Sequence, residues 1–494
     1  MKINKIMALI GVAATTLVGC AQETTSKEEA ISFAELETPT FSNVSVHDPS
    51  VVKVEDTYYV FGSHMASAKS EDLMNWTQLS TNVKDAGDIF SDITTQFEEA
   101  MAWAETDTFW APDVIQLADG RYYFYYNTCR GDSPLSALGV AVSDHIEGPY
   151  EDLGVFLKSG MWGEESPAGT VYDATIHPNV VDPSVFFDKD GRLWMMYGSY
   201  SGGIYILEMD NQTGFPLENQ GYGKKILGGN HLRIEAPYVM YSPESDYYYL
   251  FLSFGGLDAA GGYNIRVARS KNPDGPYEDA NGYDMIRCKG KNGSFFDDSM
   301  ASAFGAKLMG NFQFNHVDGE PGKKITSGYV SPGHNSTYYN EETGEYYIIF
   351  HTRFPLRGEQ HEVRVHQMYL NEDDWFVIAP HRYTNQEQLD YSEIDVSGDY
   401  KFINHGKDIT ADVKVSSIIT LNPDYSISGA VFGTWSYDRD QKYINLTIEE
   451  VTYKGVVSHQ WNEDTQCYVM TFSAMSDYGV TVWGSKVATT LNEE

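Results

Sequence analysis

Residues 47–63 read His47-Asp48-Pro49-Ser50, a β-branched run, the turn Glu55-Asp56-Thr57, and then Tyr58-Tyr59-Val60-Phe61-Gly62-Ser63. A polar residue heads a short strand, a turn follows, and an aromatic-rich strand returns, which is the pattern of a β-hairpin. The pattern recurs from Ala111-Pro112-Asp113 through Ala118-Asp119-Gly120 to Tyr122–Tyr126. It recurs from Val181-Asp182-Pro183-Ser184 through Asp190-Gly191 to Leu193–Ser199, and from Ile234-Glu235-Ala236-Pro237 through Ser242–Ser245 to Tyr247–Ser253. The fifth copy runs from Gly333-His334-Asn335-Ser336 through Glu342-Thr343-Gly344 to Tyr346–Phe350. The leading polar residues Asp48, Asp113, Asp182, Glu235 and His334 are separated by 65, 69, 53 and 99 positions. Such intervals are too long for one hairpin and suit a sheet of about four strands. A lone sheet cannot bury both faces, so the units must stack around an axis. The expected fold class is all-β, a five-bladed β-propeller over residues 40–387. Beyond residue 388 the repeat stops, and short β-type runs such as Ile418–Leu421 and Val480–Trp483 predict a small C-terminal β-barrel or sandwich domain over 388–494.

The chain has 494 residues, with 34 Lys+Arg against 70 Asp+Glu and a formal charge of −36. That field repels phosphate backbones, so a nucleic-acid partner is excluded. With 42% hydrophobic and 21% charged residues the chain is globular. Its 35 Tyr, 24 Phe and 9 Trp suit a β-rich fold and a neutral polar ligand such as a sugar. A monomer is expected.

Residues 1–19 place Lys2 and Lys5 before the apolar run Ile6–Val18, the pattern of a secretory signal peptide. The ending Leu17-Val18-Gly19-Cys20 resembles a bacterial lipobox, which makes Cys20 the expected lipidation site. Residues 20–39 then read as a flexible tether, and the location as the cell envelope, outer membrane or cell surface. Cys129, Cys288 and Cys467 are odd in number and lack any CxxC spacing, so they read as buried free thiols.

In a propeller the first residues of each innermost strand face one mouth of the central channel. The five leading residues should therefore meet there, and converging carboxylates serve either a metal or acid/base chemistry. The motifs resemble glycoside hydrolase family 43, most clearly at His47–Ser50, Phe109–Asp113, Val181–Ser184, Arg233–Pro237 and Ser331–Thr337. Within it, Gly305–Phe312, Gly358–Gln367 and the extra C-terminal β domain resemble the extracellular endo-1,5-α-L-arabinanases.

The resemblance implies an inverting hydrolase acting on arabinan, with Asp48 as general base, Glu235 as general acid and Asp182 orienting Glu235 and tuning its pKa. It implies that His334 helps to hold a hydrated calcium ion in the channel. His47, Trp110 and Asp113 are the expected substrate-binding residues, Asp113 with a scaffold role as its alternative. An exo-acting arabinofuranosidase or β-xylosidase would share the three carboxylates and differ in loops such as 80–108 and 270–330. A non-catalytic glycan-binding lipoprotein should have lost at least one carboxylate, and all three are present.

Overall fold

The protein is described here by a computed structural model covering residues 30–323 and 327–488. Five sheets succeed one another along the chain. Blade 1 holds Ser50–Val54, Thr57–Phe61, Ser67–Ser70 and Thr77–Ser80; blade 2 holds Asp113–Gln116, Tyr122–Cys129, Ser136–Ser143 and Glu151–Ser159. Blade 3 holds Ser184–Phe187, Leu193–Tyr197, Ile204–Met209 and Lys224–Leu227. Blade 4 holds Ile234–Ser242, Tyr247–Phe254, Asn264–Ser270 and Ala306–Met309. Blade 5 is built on Ser327–Asn340, Glu345–Arg353, His361–Leu370 and Phe376–Ile378. The pairings among these four-strand sets are antiparallel, as hairpin connections require.

The aromatic strands predicted from the repeat are the second strands, and they are buried because neighbouring blades cover both their faces. Every residue of Tyr122–Cys129 is buried. Phe61 of blade 1 meets Phe124 of blade 2 edge-on, and Tyr249 of blade 4 meets Phe376 of blade 5. Each such ring stabilises the stack by about 1.5–3 kcal/mol through burial. Blade 5 closes the ring on blade 1 without a shared strand. Val51 N–H donates to Ser336 Oγ, which donates to Pro49 O, and Val44, Val46, Val60, Ile349 and Val365 pack beneath them.

The C-terminal domain is a closed eight-stranded barrel running from Gly398–Asn404 to Thr481–Lys486, so of the two expected forms the barrel is the one found. Tyr400, Phe402, Ile419, Leu446 and Phe472 fill its interior. The barrel is stitched to the propeller. Lys414–Val415 pairs in parallel with Phe312–Phe314, which extends blade 5. Two buried basic side chains clamp the loop that precedes Lys414–Val415: Lys307 donates to the carbonyls of His405 and Asp408, and Arg266 to that of Lys407.

The expected signal peptide and Cys20 lie outside the described residues. Of the tether expected over 20–39, the described part does not run free. Ile31 N–H donates to Asp395, Phe33 stacks on His459, and Tyr468 donates to Glu37 O, because the barrel surface offers apolar partners to Ile31 and Phe33. Among the described residues no helix is long and apolar enough to cross a membrane.

Candidate active site

Asp48 and Asp182 each stand two residues before the first strand of their blade, and both hold the left-handed backbone conformation, φ 57° and 55°. His334 (φ 45°) and Ala236 (φ 55°), the residue after Glu235, do the same in blades 5 and 4. A non-glycine residue in that region costs about 1–3 kcal/mol and persists where the surroundings impose it, most often at functional sites. These kinks turn the leading side chains into one buried cluster.

Asp48 receives donors from every side. Ser63 Oγ donates to Oδ2 at 2.5 Å, His47 Nδ1 lies 2.8 Å from Oδ2, and His334 Nδ1 lies 2.9 Å from Oδ1. Its backbone N–H donates to His351 Nδ1 at 3.1 Å, which places the His351 proton on Nε2. Burial alone would raise the Asp48 pKa, but His334 and His47 outweigh it and hold the carboxyl well below the usual range. Asp48 is therefore ionised.

Glu235 is held the other way. Ser199 donates to Oε2 at 2.8 Å and Tyr263 to Oε1 at 2.9 Å, yet burial dominates and raises its pKa, with Asp48 repulsion adding to it. Asp182 is raised as well, by burial and by the nearby Glu235 and Asp48 charges, against the pull of His334. Its Oδ2 accepts the backbone N–H of Ala236 at 3.1 Å, so it fixes the main chain beside Glu235. Carboxyls whose pKa values are pushed in opposite directions within one cluster, Asp48 down and Glu235 up, are the arrangement that pairs a base with an acid.

Residues 38–307 match glycosyl hydrolases family 43. The chain belongs to that family. Residues 380–484 match the C-terminal lipocalin-like domain that accompanies it. An extracellular endo-α-(1→5)-L-arabinanase of Bacillus subtilis strain 168 is 58% identical over 91% of this chain and 94% of its own length. The crystal structure of an endo-1,5-α-L-arabinanase from Thermotoga petrophila RKU-1 is 52% identical, covers 91% of this chain and all of its own, and superposes with a TM-score of 0.86. A family 43 glycoside hydrolase from Bacillus licheniformis, 59% identical over 91% of this chain and 99% of its own, gives 0.88.

Within this family 43 site the other expected residues separate. His47 joins the cluster: its ring stacks on His351 at 3.9 Å between centroids, beside Asp48. His334 sits among Asp48, Asp182 and Glu235, whose charges overcome burial and push its pKa up to about 9. Asp113 departs from the expected convergence. It is the first residue of its strand and so matches Ser50 and Ser184 in register, while Ala111 takes the place of Asp48 and Asp182. Two residues deeper, its carboxylate accepts from Ser50 Oγ and from the backbone N–H groups of Val114 and Val185. It braces blades 1, 2 and 3, the scaffold side of the expectation, and burial raises its pKa to about 7. Trp110 is half-buried.

The sequence reading missed Ser63, Ser199, Ser253, Tyr263 and His351, which position the cluster. The serines carried a signal. Each lies at or just beyond the end of a second strand, and Ser253 Oγ accepts the His334 N–H just as Ser63 and Ser199 serve Asp48 and Glu235.

Proposed function

We propose that this protein is an inverting endo-arabinanase that hydrolyses internal α-1,5-L-arabinofuranosyl linkages, with Asp48 as base, Glu235 as acid and Asp182 positioning the acid. The opposed pKa shifts of Asp48 and Glu235 within one buried cluster carry this reading, and the names of the two arabinanase relatives supply the substrate. Water held by Asp48 attacks the anomeric carbon and passes a proton to that carboxylate as the new C–O bond forms. The bond to the departing sugar breaks, and its oxygen takes the proton from Glu235. Exchange with solvent restores both groups. Inversion needs a gap of roughly 6.5–9.5 Å between acid and base to admit the water, and residues heading different blades across a channel can provide it.

The same reading gives His334 a hydrated calcium ion. Its Nδ1 faces Asp48, so Nε2 is the ring nitrogen a cation would take. The ring would have to give up its Nε2 proton to do so, the ion replacing that proton as the positive charge among the carboxylates, while waters would supply the oxygen ligands calcium prefers. The donor set fits such an ion, since three carboxylates surround His334 with negative charge. When bound, the ion would supply positive charge to this cluster. A chelator should lower both the melting temperature and kcat, with calcium restoring them. No change in either would remove the ion from the reading. Lipid anchoring through Cys20 at the cell envelope belongs to the same proposal. Cys20→Ser should release the protein into the medium.

Product analysis on debranched linear arabinan tests the activity. A ladder of mixed oligosaccharides is expected, with Glu235→Gln lowering kcat by about 10²–10⁴-fold. Monomer alone from the first turnover would move the protein to exo action, and no product at all would refute hydrolysis of this substrate.

A further inference from the structure

The channel mouth also carries a run of rings that the proposed chemistry does not use. It starts at Tyr200, the residue after the Glu235 donor Ser199. Tyr200 meets Phe296 edge-on at 5.4 Å between centroids, Phe296 lies against Phe295 at 4.1 Å, and Phe295 against His231 at 4.7 Å. Phe295 and His231 then line an open groove of about 680 Å³, together with Thr175, Tyr172 and Trp162. Trp162 stands edge-on to Tyr172 at 5.0 Å.

These rings are exposed where a folded chain would ordinarily hide them: Phe295 by 66%, Trp162 by 55% and Phe296 by 43%. An apolar patch rimmed by polar groups marks a binding surface. The rim here is Asp132, Asp173 and Thr175, which offer acceptors to hydroxyl groups and repel anionic chains. Tyr200, His231 and Phe296 all hold left-handed backbone conformations, φ 47°, 54° and 57°, so the strain falls on the ring residues themselves.

The segment bearing Phe295 and Phe296 is also fastened to the catalytic strand. Arg233, two residues before Glu235, donates through Nε and Nη2 to Asp298 Oδ2. Gly290 exchanges hydrogen bonds with the main chain of Gly229 and the amide of Asn230. The loop of residues 271–305, inserted between two strands of blade 4, thus reaches the mouth and is held there.

We infer that the run from Tyr200 to Trp162 is an extended subsite that holds arabinofuranosyl units several positions away from the bond being cleaved. This rests on the arabinanase reading given above. Aromatic faces suit the C–H faces of sugar rings, the rim acidic groups take their hydroxyls, and an open groove lets a chain pass along it. The path begins beside the acid, so a chain lying on it enters the cleavage site in register.

The test compares kcat/KM on linear arabinan and on arabinotriose for the parent, Phe295→Ala/Phe296→Ala and, separately, Trp162→Ala. The ratio of polymer to trisaccharide activity should fall about tenfold in the double variant. Retardation of the protein in an arabinan-containing native gel should weaken in parallel. An equal change on both substrates, or an unchanged ratio in both variants, would overturn the subsite while leaving the arabinanase reading intact. A parent that neither cleaves arabinan nor is retarded by it would overturn both. Unchanged melting temperatures would exclude misfolding as the cause of a loss.

Discussion

Replacing Tyr263 by Phe removes one atom, the hydroxyl that donates to Glu235 Oε1 at 2.9 Å, and keeps a fully buried ring in place. A hydrogen bond to an ionised carboxylate contributes about 1.5–3 kcal/mol, and one to a neutral partner about 0.5–1.5. The loss therefore falls mainly on the ionised form of Glu235, by a difference of about 1–1.5 kcal/mol. At 1.36 kcal/mol per unit, that raises the Glu235 pKa by about one unit further. In the pH profile of kcat/KM on linear arabinan, the alkaline limb should move upward by about one unit. The acidic limb, which belongs to Asp48, should stay. The plateau should fall a few-fold, because a weaker acid transfers its proton less readily. An alkaline limb that stayed in place or moved downward would refute the argument that Tyr263 acts on the acid through its hydroxyl.

Three further outcomes follow from the same contacts. Asp182→Asn keeps an oxygen for the Ala236 N–H but removes a carboxyl whose pKa folding raises. Such a group disfavours the fold as pH rises above its unfolded value of 3.8, so at pH 7 the variant should melt about 2–4 °C higher per kcal/mol recovered while kcat drops. Asp113→Ala strands Ser50 Oγ and the N–H groups of Val114 and Val185. Calorimetry should show a loss of about 3 kcal/mol with KM for arabinan kept, whereas a raised KM would restore Asp113 as a substrate contact. Gly333→Ala would drive a Cβ into the Tyr263 ring, so its pH profile should change in the same direction as that of Tyr263→Phe; an unaltered profile would separate Tyr263 from the acid.

The blades were legible because each second strand carries its own local signal, a run of aromatic residues after a turn. The two added strands of blade 5 had none. Lys414–Val415 finds Phe312–Phe314 across a hundred residues of chain, a pairing that no local pattern announces. At the site, Asp48 and Asp182 were readable from the shared Asp-Pro-Ser motif, whose proline and backbone kink set the same geometry twice. Asp113 was misplaced because its motif slides by two residues, which keeps the side chain on the same face but takes it deeper into the stack. Tyr263 and His351 escaped notice because their roles depend on which neighbour blade they face. Phe295 and Phe296 lie in a stretch without strand periodicity, where the sequence offers aromatic residues but no register.

The stitching of barrel to propeller also bears on how the chain is made. During synthesis the N-terminal blades emerge first, at about 5–20 residues per second. Blade 5 nevertheless lacks one of its two edge strands until Lys414–Val415 has left the ribosome, and the contacts of residues 31–37 with Asp395, His459 and Tyr468 wait for those residues to arrive. The head of the chain must wait for its tail. A ribosome stalled before residue 415 would thus hold a propeller with an open edge, and a gene cut after residue 387 would yield that same unfinished edge in every copy.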